Sequence, residues 1–320
     1  MHFPTDNGLL YDAIRKTIVL TSRLCLKYKL KGWRQKSHNL KKIKSITTTI
    51  SKIKRSRPRK ESSILDKKNK LEKAYKKLIN RSEEFIEKAN LSIEEVNKKA
   101  TALDFILIKE IEKFINYTKI FIDQITRRVF KEEKISHKEK IFSIFEPHTE
   151  WICKGKVKAP FELGKRVAIV EDQYGFILSS KVMNRETDEK VTIPIIKETK
   201  KRFDNITTCS FDKGFYSKKN KEELSKLLEF PILPKKGKLS KKDMELEHSK
   251  EFVKYRKKHS AVESAINALE IHGLDKCLDK GFFAFKRFVA LAVASRNIQK
   301  LGAILKRKYH RKKHKLKIAV

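Results

Sequence analysis

Apolar residues recur at helical spacing through the first half of this chain. Leu71, Ala74, Leu78 and Ile79 lie on one face, and so do Leu103, Leu107, Ile111 and Phe114. No glycine occurs between Gly32 and Gly155 and no proline between Pro58 and Pro147, an interval rich in Lys, Glu, Ile and Leu that favours long helices. Ser92 and Glu95 have the spacing of a capping box and predict a helix start. The pattern predicts a helical module over residues 8–140, with a basic hinge at Lys54-Arg-Ser-Arg-Pro-Arg-Lys60.

From Thr149 onward the period shortens. Val167-Ala-Ile-Val170, a turn at Glu171-Asp-Gln-Tyr-Gly175, and an apolar run from Phe176 to Val182 predict an antiparallel hairpin. Within that turn, Asp172 reads as a turn residue rather than a ligand. A third strand, Ile206 to Phe211, ends at Asp212 just before Gly214. A helix follows, with Asn220 as its N-cap, Glu223 at N3 and Leu224, Leu227 and Leu228 inward. Phe230-Pro-Ile-Leu-Pro234 reads as a short buried strand that empties into the basic loop Lys235-Lys-Gly-Lys238. Two helices close the pattern, 250–272 stopped by Gly273 and 282–307, with a basic tail from Lys306. Strands covered by late helices give an α/β class.

Charge changes the picture more than composition does. The 320 residues hold 77 Lys and Arg against 39 Asp and Glu, a formal net charge of +38, while 39% hydrophobic content suffices for a core. Such a chain repels itself unless a polyanion binds it, which points to nucleic acid. Cysteines 25, 153, 209 and 277 form no CxxC pair, which argues against a zinc finger and for reduced core residues in a cytoplasmic protein. No apolar run approaches the roughly 18 residues of a membrane helix, so no membrane partner is expected. The start, Met-His-Phe-Pro-Thr-Asp, lacks the regions of a secretory signal.

The candidate chemistry lies in the last third. In the helix predicted over 250–272, Val262, Ala265, Ile266 and Leu269 make a core stripe, beside a polar stripe of Arg256, His259, Glu263, Asn267 and Glu270. Packed on the sheet, that edge can bring Glu263 to the strand-end Asp212. Two carboxylates in one place repel or recruit a divalent cation, the usual device for cleaving phosphodiesters. His259 could orient a phosphate or the Glu263 carboxylate, and Lys235, Lys236 and Lys238 are placed to meet a phosphate backbone. Each residue alone also has an ordinary reading, as a solvated helix acid, a turn residue or basic surface.

Several runs, in order, resemble bacterial insertion-sequence transposases of the DDE class. They are Ile141-Phe-Ser-Ile-Phe-Glu-Pro-His-Thr-Glu-Trp-Ile-Cys-Lys-Gly-Lys156, Glu162-Leu-Gly-Lys-Arg-Val167, Ser210-Phe-Asp-Lys-Gly-Phe215, Leu233-Pro-Lys-Lys-Gly-Lys238 and His259-Ser-Ala-Val-Glu-Ser264. Leu269-Glu-Ile-His-Gly-Leu274 and the following Phe285-Lys-Arg-Phe-Val-Ala-Leu-Ala-Val293 continue the likeness. The resemblance implies an RNase H-like mixed sheet flanked by helices over residues 141–305, preceded by the helical basic module 1–140 and followed by the basic tail 306–320. It further implies metal-dependent cutting of element ends and joining to target DNA, with Mg²⁺ (Mn²⁺ substituting) and a homo-oligomer on DNA at the bacterial nucleoid. Asp212 becomes the second acid and Glu263 the third, with Arg256 and His259 supporting and Lys154, Lys156, Lys235, Lys236 and Lys238 on DNA.

The first acid of such proteins lies on an opening strand, in an Asp-Ser/Thr-Thr-Val type segment shortly before a stretch like His2-Phe-Pro-Thr-Asp6. Here Met1 directly precedes that stretch, so the expectation is an N-terminally truncated, inactive transposase. Asp6 has only five residues before it, Pro4 among them, too little for a central strand. His259 and Glu270 also occupy places that the tyrosine-arginine-glutamate-lysine pattern of some related groups would fill differently. A DNA-binding remnant or regulator without catalysis is the alternative, and a lysine-rich RNA-binding protein a weaker third.

Overall fold

The computed structural model of the protein describes residues 4–137, 139–153 and 161–318. Two compact units divide the chain, Met1–Thr149 and Glu150–Val320. The architecture is mixed α/β, with a helical first unit and small sheets confined to the second.

In the first unit the long breaker-free stretches fold as four helices, α1 (Asp6–Lys27), α2 (Lys36–Arg55), α3 (Glu61–Asn97) and α4 (Ala102–Phe130). Central position goes to α1, which packs on the other three. Leu10, Ala13, Ile14, Ile18 and Leu24 make one wholly buried stripe along it. The basic hinge is real, because α2 stops at Arg55 and α3 starts at Glu61, with Pro58 between them.

Ser92 does not start a helix. It lies inside α3, donates its hydroxyl to the Lys88 carbonyl at 2.9 Å and accepts the Trp33 indole N–H at 2.9 Å. A buried indole needs an acceptor, and a back-bonded serine supplies one without ending the helix.

The capping box sits instead at Thr101 and Asp104, where α4 begins. Asp104 is buried, and its two oxygens also accept from the Lys27 ammonium at 2.6 and 2.8 Å and from the Tyr28 hydroxyl at 2.5 Å. The Lys27 ammonium, with Thr101 and Tyr28, holds the Asp104 carboxyl well below the usual carboxylate range.

The second unit opens with a hairpin absent from the sequence expectation, β1 (Glu150–Cys153) paired antiparallel with β2 (Phe161–Gly164). The expected hairpin follows as β3 (Val167–Glu171) and β4 (Ile177–Val182), with a register shift between Val170 and Glu171. Asp172 holds its turn, accepting from the backbone N–H of Tyr174 at 2.8 Å and of Phe176 at 2.9 Å. Gly175 takes the left-handed φ of 84° that the turn needs. Next comes α5 (Asp188–Arg202), followed by β5 (Thr208–Ser210), a 3₁₀ turn at Lys213–Phe215, α6 (Lys218–Leu227) and β6 (Phe230–Ile232). Strand β6 runs parallel to β5, so β5-α6-β6 is a crossover unit.

One core gathers these pieces, with Ala168 from β3, Val191, Ile195 and Ile196 from α5, Leu224 from α6, and Phe211 and Leu233 at strand ends. The expected mixed sheet is therefore present in pieces, an antiparallel pair and a parallel pair on a common core. Among the described residues no ladder joins β3 to β5. Ion pairing also enters this unit's interior, since the buried Lys165 side chain donates to Glu150 at 2.5 Å and to Asn184 at 2.7 Å.

Three further boundaries differ from the pattern reading. Ser217, not Asn220, caps α6, accepting from the Asn220 N–H at 3.1 Å. The single helix expected over 250–272 is two, α8 (Lys250–Lys258) and α9 (Ser260–Leu269), after a short α7 (Lys241–His248). Phe252 and Tyr255 seat α8 beside the β5–β6 pair, whereas α9 packs on the final helix, and His259 between them keeps helical backbone angles (φ −59°, ψ −27°). Ala265 and Leu269 are buried as expected, but Ile266 is exposed. A π turn, Glu270–Leu274, ends this stretch with Gly273 at φ 101°. The final helix, α10 (Phe282–Ile318), runs through the segment expected to be a tail.

Asp104→Ala is expected to lower the melting temperature by at least about 3 °C, the effect of a lost helix cap alone. Because the native carboxyl is held below its ordinary value of 3.8, its stabilisation is full above that pH. Circular dichroism melts should show the gap to wild type closing as pH falls below about 4.

Candidate active site

Asp212 is held by the backbone on both sides. Just before it, buried Phe211 donates its N–H to the Ile232 carbonyl at 2.9 Å, extending the β5–β6 pairing. Asp212 itself caps the 3₁₀ turn, accepting the Lys213 N–H at 2.7 Å and, through its carbonyl, the Phe215 N–H at 3.1 Å. Its carboxylate is exposed and has no ion pair among the described residues.

Sequence reasoning missed the residues that brace this turn. A Cβ on Gly214 would lie 2.8 Å from an Asp188 carboxylate oxygen, so the acid at the head of α5 packs directly on the turn. Arg166 of the hairpin pairs with Asp188 at 3.3 Å. Buried Asn220 donates its amide to the carbonyls of Glu189 at 2.8 Å and Phe215 at 2.9 Å, joining α5 to the far end of the turn. The one sequence signal was Gly214, whose missing side chain makes room for Asp188.

Glu263 is exposed in the first turn of α9. One turn earlier, His259 is half-buried, and its Nδ1 has no partner among the described residues. Arg256 pairs with Glu247 at 3.7 Å, which makes it a brace of the neighbouring loop.

In that loop the three lysines divide. Lys235 donates its backbone N–H to Glu247 at 2.8 Å and its ammonium to Asp243. That ammonium and the Ser240 hydroxyl hold the Asp243 carboxyl far below its ordinary value, and Asp243 in turn raises Lys235. Lys235 is thus committed to anchoring α7. Lys236 and Lys238 are exposed around Gly237, which adopts a left-handed φ of 92° with open space about it. Lys154 and Lys156 lie outside the described residues. Asp6 begins α1 and pairs with Arg128, so it is a helix residue with a structural partner.

Asp212 and Glu263 are hard oxygen donors of the kind Mg²⁺ takes. Among the described residues no group of three or more His, Cys, Asp or Glu side chains is clustered to hold a metal ion. Two carboxylates offer fewer oxygen ligands than a pair of ions takes.

The thiols separate by burial. Burial raises the Cys25 thiol and pushes Cys209 up to about 12, while Cys153 is exposed and all four are free.

A family model described as the transposase DDE domain matches residues 117–298, more than half of the chain. No curated protein and no solved structure matches.

If the exposed lysines meet phosphate, Lys236→Ala with Lys238→Ala will lower the slope of log affinity for duplex DNA against log salt by up to about 1.8, at about 0.9 per phosphate. Lys235→Ala will instead lower thermal stability and change the slope little, because its charge is already matched by Asp243. Fluorescence anisotropy titrations from low to high salt, with parallel melts, separate the two.

Proposed function

The chain belongs to the DDE transposase family, and on that premise we propose that it acts on the DNA ends of an insertion element and on target DNA, as a homo-oligomer at the bacterial nucleoid. The observation that carries this reading is the extent of the family match, which takes in Asp212, Lys236, Lys238 and Glu263 together. Net charge of +38 supplies the attraction to a polyanion.

Asp212 and Glu263 are the carboxylates proposed to serve strand cleavage and transfer, with Mg²⁺, or Mn²⁺ in its place, as the ion they would help to hold. Phe211, Asn220 and Asp188 fix the backbone that presents Asp212, and the Lys213 N–H held by its carboxylate adds to that orientation. His259 stands one turn before Glu263, the place from which an imidazole could steer that carboxylate.

That no three His, Cys, Asp or Glu side chains cluster for a metal ion among the described residues favours a finer reading. We propose that these 320 residues by themselves bind DNA without cutting it.

A gel-shift assay should show duplex binding that weakens steeply with salt, with no Mg²⁺- or Mn²⁺-dependent nicking in the same reactions. In any preparation that does cleave, Glu263→Gln should cut the rate by at least about 100-fold, since even supporting partners of a metal site cost about 10- to 100-fold, while binding persists. Robust cleavage by the 320 residues alone would overturn the finer reading.

A further inference from the structure

Between Asp12 and Glu61 the chain has 17 Lys and Arg and no Asp or Glu. A cation on α2 must therefore find its acid on another helix. Lys54 lies in the last turn of α2, and among the described residues it pairs with no carboxylate. It shares a cleft of about 320 Å³ with Lys68 and Glu72 of α3, Arg128 of α4 and Glu132 just beyond. Two nearby acids are already engaged, Asp6 by Arg128 and Glu132 by Lys68.

The amine is held in place. Lys67 donates to the carbonyls of Lys54 at 3.2 Å and Ser56 at 2.6 Å, which fixes the backbone at the end of α2. Lys54 Nζ donates to Asn7 Oδ1 at 3.4 Å, and the buried Asn7 amide is itself oriented by a 3.0 Å bond to the Ser51 hydroxyl. The same Nζ lies 5.3 Å from the centre of the buried Tyr75 ring. That ring and Asp6 favour the ammonium. Burial opposes it most, and the Arg128 guanidinium opposes it next, taking Lys54 from 10.5 down to about 8. A desolvated amine beside a second cation is the setting in which lysine becomes a nucleophile.

We propose that Lys54 is a modification site, whose Nζ takes an acyl group directly from an acyl phosphate. The amine lone pair forms an N–C bond to the acyl carbon. The bond from that carbon to the phosphate oxygen breaks, its electrons leave with the phosphate, and the amine proton passes to solvent. Other residues of the cleft select this donor. Arg128 carries five N–H donors and Lys68 three, so each has donors left for the departing phosphate beyond those given to Asp6 and Glu132. An aldehyde would leave them unused. The amide product is uncharged, which ends the repulsion between Lys54 and Arg128 and removes one charge from the acid-free stretch. Neither DNA nor metal takes part, so the outcome is separate from strand cleavage.

The full chain, incubated with acetyl phosphate at about pH 7.5 and followed by tandem mass spectrometry, should acetylate Lys54 at least about 10-fold faster than Lys52. Lys52 is exposed two residues away on the same helix and serves as the internal control. The preference should vanish in concentrated urea, where the cleft is lost. Stability gives a second readout. The fold disfavours the wild-type ammonium, a cost that is full below about pH 8 and gone above pH 10.5. The melting temperature of Lys54→Met relative to wild type should therefore fall across that window. Lys54 reacting no faster than Lys52 in the folded chain overturns the proposal, and so does a preference that survives urea. A melting difference independent of pH removes the neutral amine that the reaction needs and overturns it as well.

Discussion

Mutual repulsion among 77 cationic side chains is the constraint that this fold satisfies first. With half as many acids available, the protein places them where one carboxylate can hold several donors. Asp104 gathers Lys27, Tyr28 and Thr101; Asp243 gathers Lys235, Lys221 and Ser240; Glu150 holds Lys165 and the Arg185 N–H. These acids sit at helix starts, a loop anchor and a hairpin base, so the same bonds that offset repulsion also set where elements begin. Against that background Asp212 and Glu263 differ, being exposed and without an ion pair among the described residues.

Most of the architecture could be read from breakers and periodicity. The helical first half, the β3–β4 hairpin with Asp172 in its turn, and the strand ending at Asp212 all stood out because each rests on local chemistry. Helix α5 did not. Its Val191-Thr-Ile-Pro-Ile-Ile196 run is β-branched and contains Pro194, so local preference opposes a helix that is secured by burying Val191, Ile195 and Ile196. The Ser92 and Asn220 errors share a cause. Both residues have the right type and spacing for a cap, and both are used instead by a distant group, the Trp33 indole in one case and the Glu189 and Phe215 carbonyls in the other.

Of the candidate site, the backbone position of Asp212 was legible. Asp212 could be placed from sequence because a strand end before a glycine turn is a local event. Its supports, Asp188, Arg166 and Asn220, come from three elements and have no signature along the chain. Lys235 was the reverse case. Beside Lys236 and Lys238 it looked equivalent, and only Asp243 and Glu247 show that a lysine in a basic run can be an internal fastening.

Asn297 has an implication of a different kind. Its side-chain amide presents one donor and one acceptor to the donor and acceptor of Ile177, as the peptide unit of a neighbouring strand would. Edge strands with free backbone groups are templates for intermolecular pairing, a route to aggregation that proteins block with charge, bulges or cover. Here a single residue of the final helix blocks the start of β4, next to the register shift at Val170 and Glu171. Solubility at this edge therefore depends on a helix more than a hundred residues later in the chain. While a ribosome is still short of residue 297, the hairpin has no such cover, which makes the interval between its synthesis and that of α10 the period of greatest exposure to misassembly.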